Sequence, residues 1–204
     1  MKITIIIPVY NEFVTIDKIV GKILKLESLN KQIIIVDDFS NDGTVEKLKK
    51  LNIFKKIQKI IFHSKNMGKG GAIKTAQKYI DGDLTIIQDA DLEYDPNDFE
   101  KLIKPFIENQ ADVVYGSRFL GSSAQRVIYY SHRVANFLIT NLVNIFTNIN
   151  YTDVETGYKV FRKSILDSIN LKEKSYDIKK ETTKKISKLN PKIFEVGISY
   201  NGRT

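Results

Sequence analysis

Two hydrophobic periodicities alternate along the first 116 residues of the chain. Continuous apolar runs rich in β-branched residues predict buried strands, and apolar residues recurring every three or four positions predict helices between them. This alternation is typical of an α/β protein with a mostly parallel central sheet and helices on both faces. The predicted strands are residues 3–9, 33–36, 57–62, 84–88 and 111–115, and the predicted helices are residues 14–26, 44–51, 70–80 and 97–108.

The pattern changes after residue 117. Residues 117–130 are interpreted as a loop, residues 131–148 as an amphipathic helix, and Phe161 and residues 193–200 as strand. No run of about 18 uncharged apolar residues occurs, so no membrane-spanning helix is predicted. We therefore expect one domain, with a C-terminal elaboration.

Polar segments follow four of the predicted strands. In a parallel sheet, ligands bind beyond the carboxyl ends of the strands. The sequence therefore predicts that these segments converge on one edge of the sheet. They are residues 8–12, 37–38, 66–71 and 89–93.

Three carboxylates follow the fourth predicted strand, at Asp89, Asp91 and Glu93. At alternating positions of an extended segment they would point to one side and repel one another unless a cation joined them. Hard oxygen ligands suit Mg²⁺ or Mn²⁺, which commonly bridge to substrate phosphates. The alternative interpretation is a solvated acidic loop.

Two further segments at this edge each have two interpretations. Asp37 and Asp38 would accept hydrogen bonds from a base or ribose, or serve as turn and cap residues. The glycine-rich residues 66–71 match neither a P-loop nor the dinucleotide fingerprint. They would accept an anion at a helix start, or allow tight packing of helix on strand.

Charge and composition narrow the function classes. The formal net charge of +8 favours an anionic partner, which would be nucleic acid, a lipid surface or a phosphorylated substrate. Acids along the predicted edge argue against nucleic acid. The chain has no cysteine, which excludes disulfides, a thiol nucleophile and cysteine-based metal sites. Arg118, Arg126 and Arg133 lie close in sequence and suit phosphate, unless they form surface ion pairs.

Eight motifs, taken in order, resemble family 2 glycosyltransferases over nearly the whole chain. The similarity is closest to the branch that resembles dolichol-phosphate mannosyltransferase and uses polyprenyl phosphates. The motifs are IPVYNE at 7–12, VDD at 36–38, SNDGT at 40–44, NMGKGGA at 66–72, QDADLEYDP at 88–96, VVYGSRF at 113–119, TDVETGYKVFR at 152–162 and ISYNGRT at 198–204.

The resemblance implies a GT-A fold, with residues 1–116 binding nucleotide sugar and metal and residues 117–204 binding acceptor. It implies an inverting, metal-dependent transfer from a GDP-mannose or UDP-glucose type donor to a polyprenyl or dolichyl phosphate. The alternative acceptor is a hydroxyl of a glycan or lipid in cell-surface polysaccharide synthesis. An inactive relative is a further alternative, because residues 179–181 read Lys-Lys-Glu where relatives often have an acidic residue, Pro and Glu.

The resemblance also assigns residues to roles. Asp91, Arg118 and Asp153 are the expected catalytic residues, and Asp153 or Glu155 would be the base if the acceptor were a hydroxyl. Donor contacts are expected from Pro8, Tyr10, Glu12, Val36, Asp38, Asp89, Ala90, Asp91 and Arg203, metal binding (Mg²⁺ or Mn²⁺) from Asp89, Asp91 and Glu93, and acceptor-phosphate binding from Arg118 and Arg133.

A lipid-linked acceptor implies contact with a membrane. The helix at residues 131–149 and the segment 172–192, with eight lysines and three acids, are the predicted contacts. We expect a cytoplasmic protein that is peripheral on the cytoplasmic face of the membrane. Relatives continue with basic residues beyond the position of Thr204, so we also expect a shortened C-terminus or an incomplete lid.

Overall fold

The structure is a computed structural model, and it describes residues 1–51, 57–121, 127, 129–169 and 178–202. The side chains of residues 178–181 stand outside that description. Arg126 and Arg203 are therefore not described, and neither are the side chains of residues 179–181, where the sequence departs from its relatives.

Seven strands form a single mixed sheet in the described part of the chain, and this confirms the α/β class. They are β1 (Ile3–Val9), β2 (Lys31–Asp37), β3 (Lys59–Phe62), β4 (Leu84–Ile87), β5 (Val113–Ser117), β6 (Lys159–Arg162) and β7 (Ile193–Gly197).

The order across the sheet is β3-β2-β1-β4-β6-β5-β7. Strands β1 to β4 pair in parallel, and so do β5 and β7. Strand β6 runs antiparallel to both β4 and β5, between which it lies. The sequence could mark a strand at Phe161. The direction of that strand, and its position between β4 and β5, are set by tertiary pairing.

Helices cover both faces, as the strand pattern predicts. They are α1 (Ile16–Lys25), α2 (Thr44–Leu51), α3 (Gly68–Gln77), α4 (Phe99–Glu108), α5 (Tyr130–Thr147), α6 (Lys163–Ser168) and α7 (Ile178–Ser187). A 3₁₀ turn, Pro96–Asp98, precedes α4 because the Asp95 side chain accepts from the Asn97 amide. The sequence pattern did not predict α6 or α7.

Alternating side chains of β1 pack into two separate hydrophobic cores, one on each face of the sheet. Ile5 and Ile7 pack in the core that α1 and α4 cover, and Ile6 packs in the core that α3 covers. All three side chains are fully buried. Burial on both faces explains why β1 is a nearly continuous apolar run with no polar alternation.

The chain approaches β1 at Gly82, two residues before β4 begins. The Gly82 amide donates to the Thr4 hydroxyl at 2.9 Å. A Cβ added at Gly82 would lie 2.6 Å from the Thr4 backbone nitrogen, which a real side chain cannot do without a shift. This close approach sets the position of β4 and therefore of the acidic segment that follows it.

We predict that Gly82→Ala lowers the free energy of unfolding by about 1–3 kcal/mol, because the methyl group forces the two backbones apart. Gly21→Ala is the matched control. Gly21 lies inside α1 with no neighbouring atom within 4 Å of an added Cβ, so alanine there should stabilise by about 0.5–1 kcal/mol. Urea unfolding measures both variants, and equal free energies would contradict the close approach.

Candidate active site

A cavity of about 520 Å³ lies at the edge of the sheet where the strands end. The four segments predicted to converge all contribute to it, and so do residues after β5 and β7. The lining residues are Pro8, Val9, Tyr10, Glu12, Asp38, Asn66, Gly68, Lys69, Ala72, Asp89, Ala90, Asp91, Glu93, Tyr94, Arg118 and Tyr200.

The acidic segment after β4 is a turn rather than the extended strand that the alternating spacing predicts. Leu92 has a left-handed backbone, with φ of 65°. The Asp91 carboxylate accepts from the Glu93 amide at 3.1 Å. Asp89, Asp91 and Glu93 still line one cavity, but a turn brings them there, and not the alternation of a strand.

Glu93 is held by an aromatic partner. The Tyr200 hydroxyl donates to Glu93 Oε2 at 3.0 Å. Burial raises the pKa of Tyr200, and the nearby Glu93 carboxylate raises it further, so the phenol stays protonated as the donor. Tyr200 also pairs with Tyr94 in an isolated β-bridge, which ties the segment after β7 to the acidic turn.

Asp89 is enclosed on one side and ion-paired on the other. Lys69 donates to Asp89 Oδ1. A Cβ added at Gly157 would lie 2.9 Å from Asp89 Oδ2 and 2.7 Å from the Tyr94 ring. The absence of a side chain at Gly157 therefore makes the room in which the Asp89 carboxylate sits.

The carboxylate oxygens of the acidic turn after β4 fit a divalent cation that is held jointly with a bound ligand. Among the described residues, no three Asp, Glu, His or Cys side chains are grouped closely enough to hold a metal alone. Mg²⁺ is commonly bound through one or two carboxylates together with substrate phosphates and water. Asp89 and Asp91 supply two carboxylates to one cavity, while Glu93 is engaged with Tyr200.

The carboxylate of Asp38 holds the start of α3. It accepts from the Met67 amide at 2.8 Å and from the Gly68 amide at 2.6 Å. Its Oδ1 atom also contacts His63 Nδ1 at 2.7 Å, and the other ring nitrogen of His63 contacts the Thr75 hydroxyl. The anion at this helix start is therefore the protein's own side chain, as the helix dipole favours.

The glycine-rich loop also packs tightly, which was one of its two interpretations. Gly68 has a φ of 74°, a conformation that favours glycine. A Cβ on Gly71 would meet the Met67 side chain at 2.6 Å. Of the residues expected to contact the donor, Val36 is fully buried in the core beneath α3 and does not line the cavity.

Arg118, which lines the cavity and is 15% exposed, forms an ion pair with the fully buried Asp153. Arg118 Nε and Nη2 donate to the two Asp153 oxygens at 2.7 and 2.8 Å, and the Arg118 amide donates to Oδ2 at 3.2 Å. Burial opposes the charge of the guanidinium, but the hydrogen bonds to Asp153 outweigh it and raise the pKa of Arg118. Asn136 of α5 donates to Asp153 Oδ1 at 3.1 Å.

From the sequence, Asp153 is expected to be catalytic, and to be one of two candidate bases if the acceptor is a hydroxyl. Its side chain is fully buried, does not line the cavity, and accepts from Arg118 and Asn136. A general base must reach the proton that it removes. The geometry therefore supports Asp153 as the residue that positions Arg118.

Arg133 lies near Arg118 but outside the cavity lining. Both guanidinium carbons lie close to the Phe119 ring centre, at 5.6 Å for Arg118 and 5.9 Å for Arg133. Arg133 is exposed in the first turn of α5. The two arginines expected to share a phosphate are thus brought to one aromatic side chain.

Helix α5 turns its buried polar residues inward. Its only buried residues are Asn136 and Thr140, and Asn144 bonds both backbone groups of Tyr151. Its outer face is apolar, with Ile145 and Phe146 78% and 80% exposed. The other exposed apolar residues of this face are Val134, Phe137, Leu138 and Leu142.

Several contributors to the site were not assigned by the sequence. Lys69, His63 and Asn136 act on Asp89, Asp38 and Asp153 through long-range contacts that no local spacing encodes. Tyr200 lies inside the ISYNGRT motif at residues 198–204, but the motif does not predict its contact with Glu93. None of the helices in the described residues combines the length and apolarity that crossing a membrane requires.

Known proteins resemble this chain in sequence and in fold. The model of the Glycosyl transferase family 2 matches residues 4–169. The chain is 29% identical to a dolichol-phosphate mannosyltransferase of Pyrococcus furiosus over 209 residues, covering all of this chain and 59% of that protein. It is 30% identical to a UDP-N-acetylglucosamine–dolichyl-phosphate N-acetylglucosaminyltransferase of Methanococcus voltae over 192 residues, covering 86% of this chain and 76% of that protein.

A solved structure shows the same fold at lower identity. It is glucosyl-3-phosphoglycerate synthase of Mycobacterium tuberculosis in complex with Mn²⁺, UDP and phosphoglyceric acid, at 17% identity and a TM-score of 0.76, covering 100% of this chain and 72% of that one. The sheet, the cavity at its edge and the matched family model lead to one conclusion. The chain belongs to glycosyltransferase family 2 and has the GT-A fold.

Proposed function

We propose that the protein is an inverting glycosyltransferase that moves a sugar from a nucleoside-diphosphate sugar to a polyprenyl or dolichyl phosphate. The observation that carries this proposal is the shared cavity, which Asp89 and Asp91 line together with Arg118. Two carboxylates suit the cation of a diphosphate, and a guanidinium suits a second phosphate. The dolichol and dolichyl phosphates in the names of two relatives support the acceptor class.

The donor would enter the part of the cavity nearest β1 and β2. Pro8, Tyr10, Glu12 and Asp38 line that part, and the UDP in the mycobacterial complex supports a nucleoside diphosphate as ligand. The expected donors are of the GDP-mannose or UDP-glucose type. Mg²⁺ or Mn²⁺ would be held by Asp89 and Asp91, and when bound it would offset the charge of the leaving diphosphate.

A phosphate acceptor also explains the lack of a reachable base at Asp153. A phosphate oxygen is already anionic near neutral pH, so it can form its bond to the anomeric carbon while the bond to the diphosphate oxygen breaks. Arg118, held in place by Asp153, and Arg133 would orient that phosphate. Attack from the side opposite the leaving group inverts the anomeric carbon.

We expect metal-dependent donor binding that needs Asp91. In a thermal-shift screen of UDP- and GDP-sugars with Mn²⁺, a donor at 100 times its dissociation constant stabilises by about 2.7 kcal/mol. For a chain of this size that is a rise of about 5–10 °C in Tm. Asp91→Asn, whose side-chain oxygen can still accept from the Glu93 amide, should lose the Mn²⁺-dependent part of this rise.

Asp81→Asn is the control for this screen, because Asp81 is exposed and does not line the cavity. It should respond to donor and Mn²⁺ as the unchanged protein does. If Asp91→Asn keeps the full Mn²⁺-dependent rise, the ligand assignment fails.

Sugar transfer to a prenyl phosphate, but not to the corresponding prenol, is the expected reaction. Arg133→Gln should lower kcat/KM for the prenyl phosphate about 10- to 100-fold, since a hydrogen bond to a charged group is worth about 1.5–3 kcal/mol. Donor binding should be unchanged. The exposed Lys104→Gln on α4 serves as the control for loss of one positive charge.

Two outcomes of the transfer assay would overturn parts of this proposal. Transfer to prenol at a similar rate would favour a hydroxyl acceptor over a phosphate. Retention of the anomeric configuration in the product, read by NMR, would exclude the single inverting displacement.

The outer face of α5 suits a lipid surface. It presents a continuous apolar stripe without an acidic residue, and Arg133 stands in its first turn. Helices of this kind lie in the membrane interface with the apolar face buried. A membrane against this face would place the lipid phosphate near Arg118 and Arg133. Half of the lysines of segment 172–192, the other predicted contact, have side chains outside the described residues.

We predict peripheral binding to vesicles of phosphatidylcholine and phosphatidylglycerol, measured by co-sedimentation at low and high salt. Replacing Ile145 and Phe146 together by Glu should weaken binding at least about tenfold, because burying each side chain is worth about 1.5–3 kcal/mol. Ile107→Glu, a similarly exposed apolar residue on α4, is the control. Absence of co-sedimentation at low salt would remove the membrane proposal.

A further inference from the structure

Among the described residues, Asp89 forms an ion pair with the ammonium group of Lys69. Lys69 stands in the first turn of α3, whose start is fixed by the Asp38 carboxylate on the Met67 and Gly68 amides. The Lys69 ammonium donates to Asp89 Oδ1, and both residues line the cavity. The two side chains are only 17% and 19% exposed, so the pair is largely shielded from water.

The pair occupies a place where negative charge needs compensation. Asp89 and Asp91 line the same cavity and are two residues apart. Like charges that share a site raise the free energy of both ionised forms unless a cation lies between or beside them. Lys69 provides that cation from a separate element of the fold, without contributing an oxygen ligand.

The two partners differ in their freedom to move. The far side of Asp89 is closed by Gly157 and Tyr94, where even one added carbon would collide. Lys69 has a flexible stem of four carbons and lines the open cavity. When a second cation competes for Asp89, the group that can withdraw is therefore Lys69.

We propose that Lys69 is a built-in counter-ion that holds the Asp89 carboxylate in place before a divalent cation binds and withdraws from it when the cation arrives. This rests on the proposed metal role of Asp89 and Asp91. A cation binding alone must break the Lys69–Asp89 pair, so binding of the free metal is weakened. An anion that enters the cavity with the metal gives the displaced ammonium a new partner, which makes metal and diphosphate binding cooperative.

The test is a titration of the protein with Mn²⁺ alone, followed by electron paramagnetic resonance of free Mn²⁺. Lys69→Met should bind Mn²⁺ about five- to tenfold more tightly than the unchanged protein, because no ion pair has to be broken. Lys69→Arg, which keeps the charge, should restore weak binding. Lys65→Met removes the same charge from an exposed position in the segment before α3 and should change the affinity less than about twofold.

A second readout separates this role from a purely structural one. Without metal, Lys69→Met should have a lower Tm, since Asp89 loses its compensating charge, and saturating Mn²⁺ should raise its Tm by more than that of the unchanged protein. Unchanged or weaker Mn²⁺ binding by Lys69→Met, equal tightening in Lys65→Met, or no Mn²⁺ binding by either protein would overturn the proposal.

The titration contains neither donor nor acceptor, so its outcome is separate from that of the transfer assay. Sugar transfer together with unchanged Mn²⁺ affinity in Lys69→Met would remove the counter-ion role and leave the proposed function standing. Tightened Mn²⁺ binding without transfer to any prenyl phosphate would do the reverse.

Discussion

Compensation of negative charge at the ends of the strands is the constraint on which the site depends. A parallel sheet brings the segments after β1, β2 and β4 to one edge, and these segments carry Asp38, Asp89 and Asp91. Two of these carboxylates have specific partners within the protein. Asp38 takes two backbone amides and His63, and Asp89 takes Lys69.

Charge compensation also shapes the half that follows β5, where the buried charge is positive. Arg118 would be costly to shield from water without a partner, and the bidentate contact to Asp153 supplies one. Asp153 is in turn fixed by Asn136, so the guanidinium is held by a chain of contacts that reaches α5. Glu195 of β7 also accepts from the amides of Thr152 and Asp153, which anchors this segment to the sheet edge.

Local pattern was sufficient for the parts of the fold that local pattern controls. The apolar runs gave β1 and β2 to within two residues, because strands buried on both faces leave no polar alternation to confuse them. It was insufficient where a distant contact decides. Helix α3 begins at Gly68 because Asp38 caps it, and the direction of β6 depends on its neighbours β4 and β5.

The site shows the same division. The sequence brought together Asp89, Asp91, Glu93 and Arg118, since topology alone places strand ends at one edge. It placed the three acids by the alternation of an extended strand, whereas Leu92 turns the chain and Asp91 closes the turn. Val36, inside a motif expected to contact the donor, has its side chain fully buried in the core, and its donor contact stays a prediction.

Helix α5 shows both the limits of local sequence pattern and the effect of the contacts that hold Arg118. Its sequence reads as amphipathic, but periodicity alone does not say which face turns inward. The backbone of Tyr151 and the carboxylate of Asp153 need hydrogen-bond partners, and Asn144 and Asn136 provide them. The apolar face is therefore left outside by the same contacts that fix Arg118. Rotating the helix to bury this apolar surface would break those hydrogen bonds. The surface is therefore removed from water only when a partner covers it.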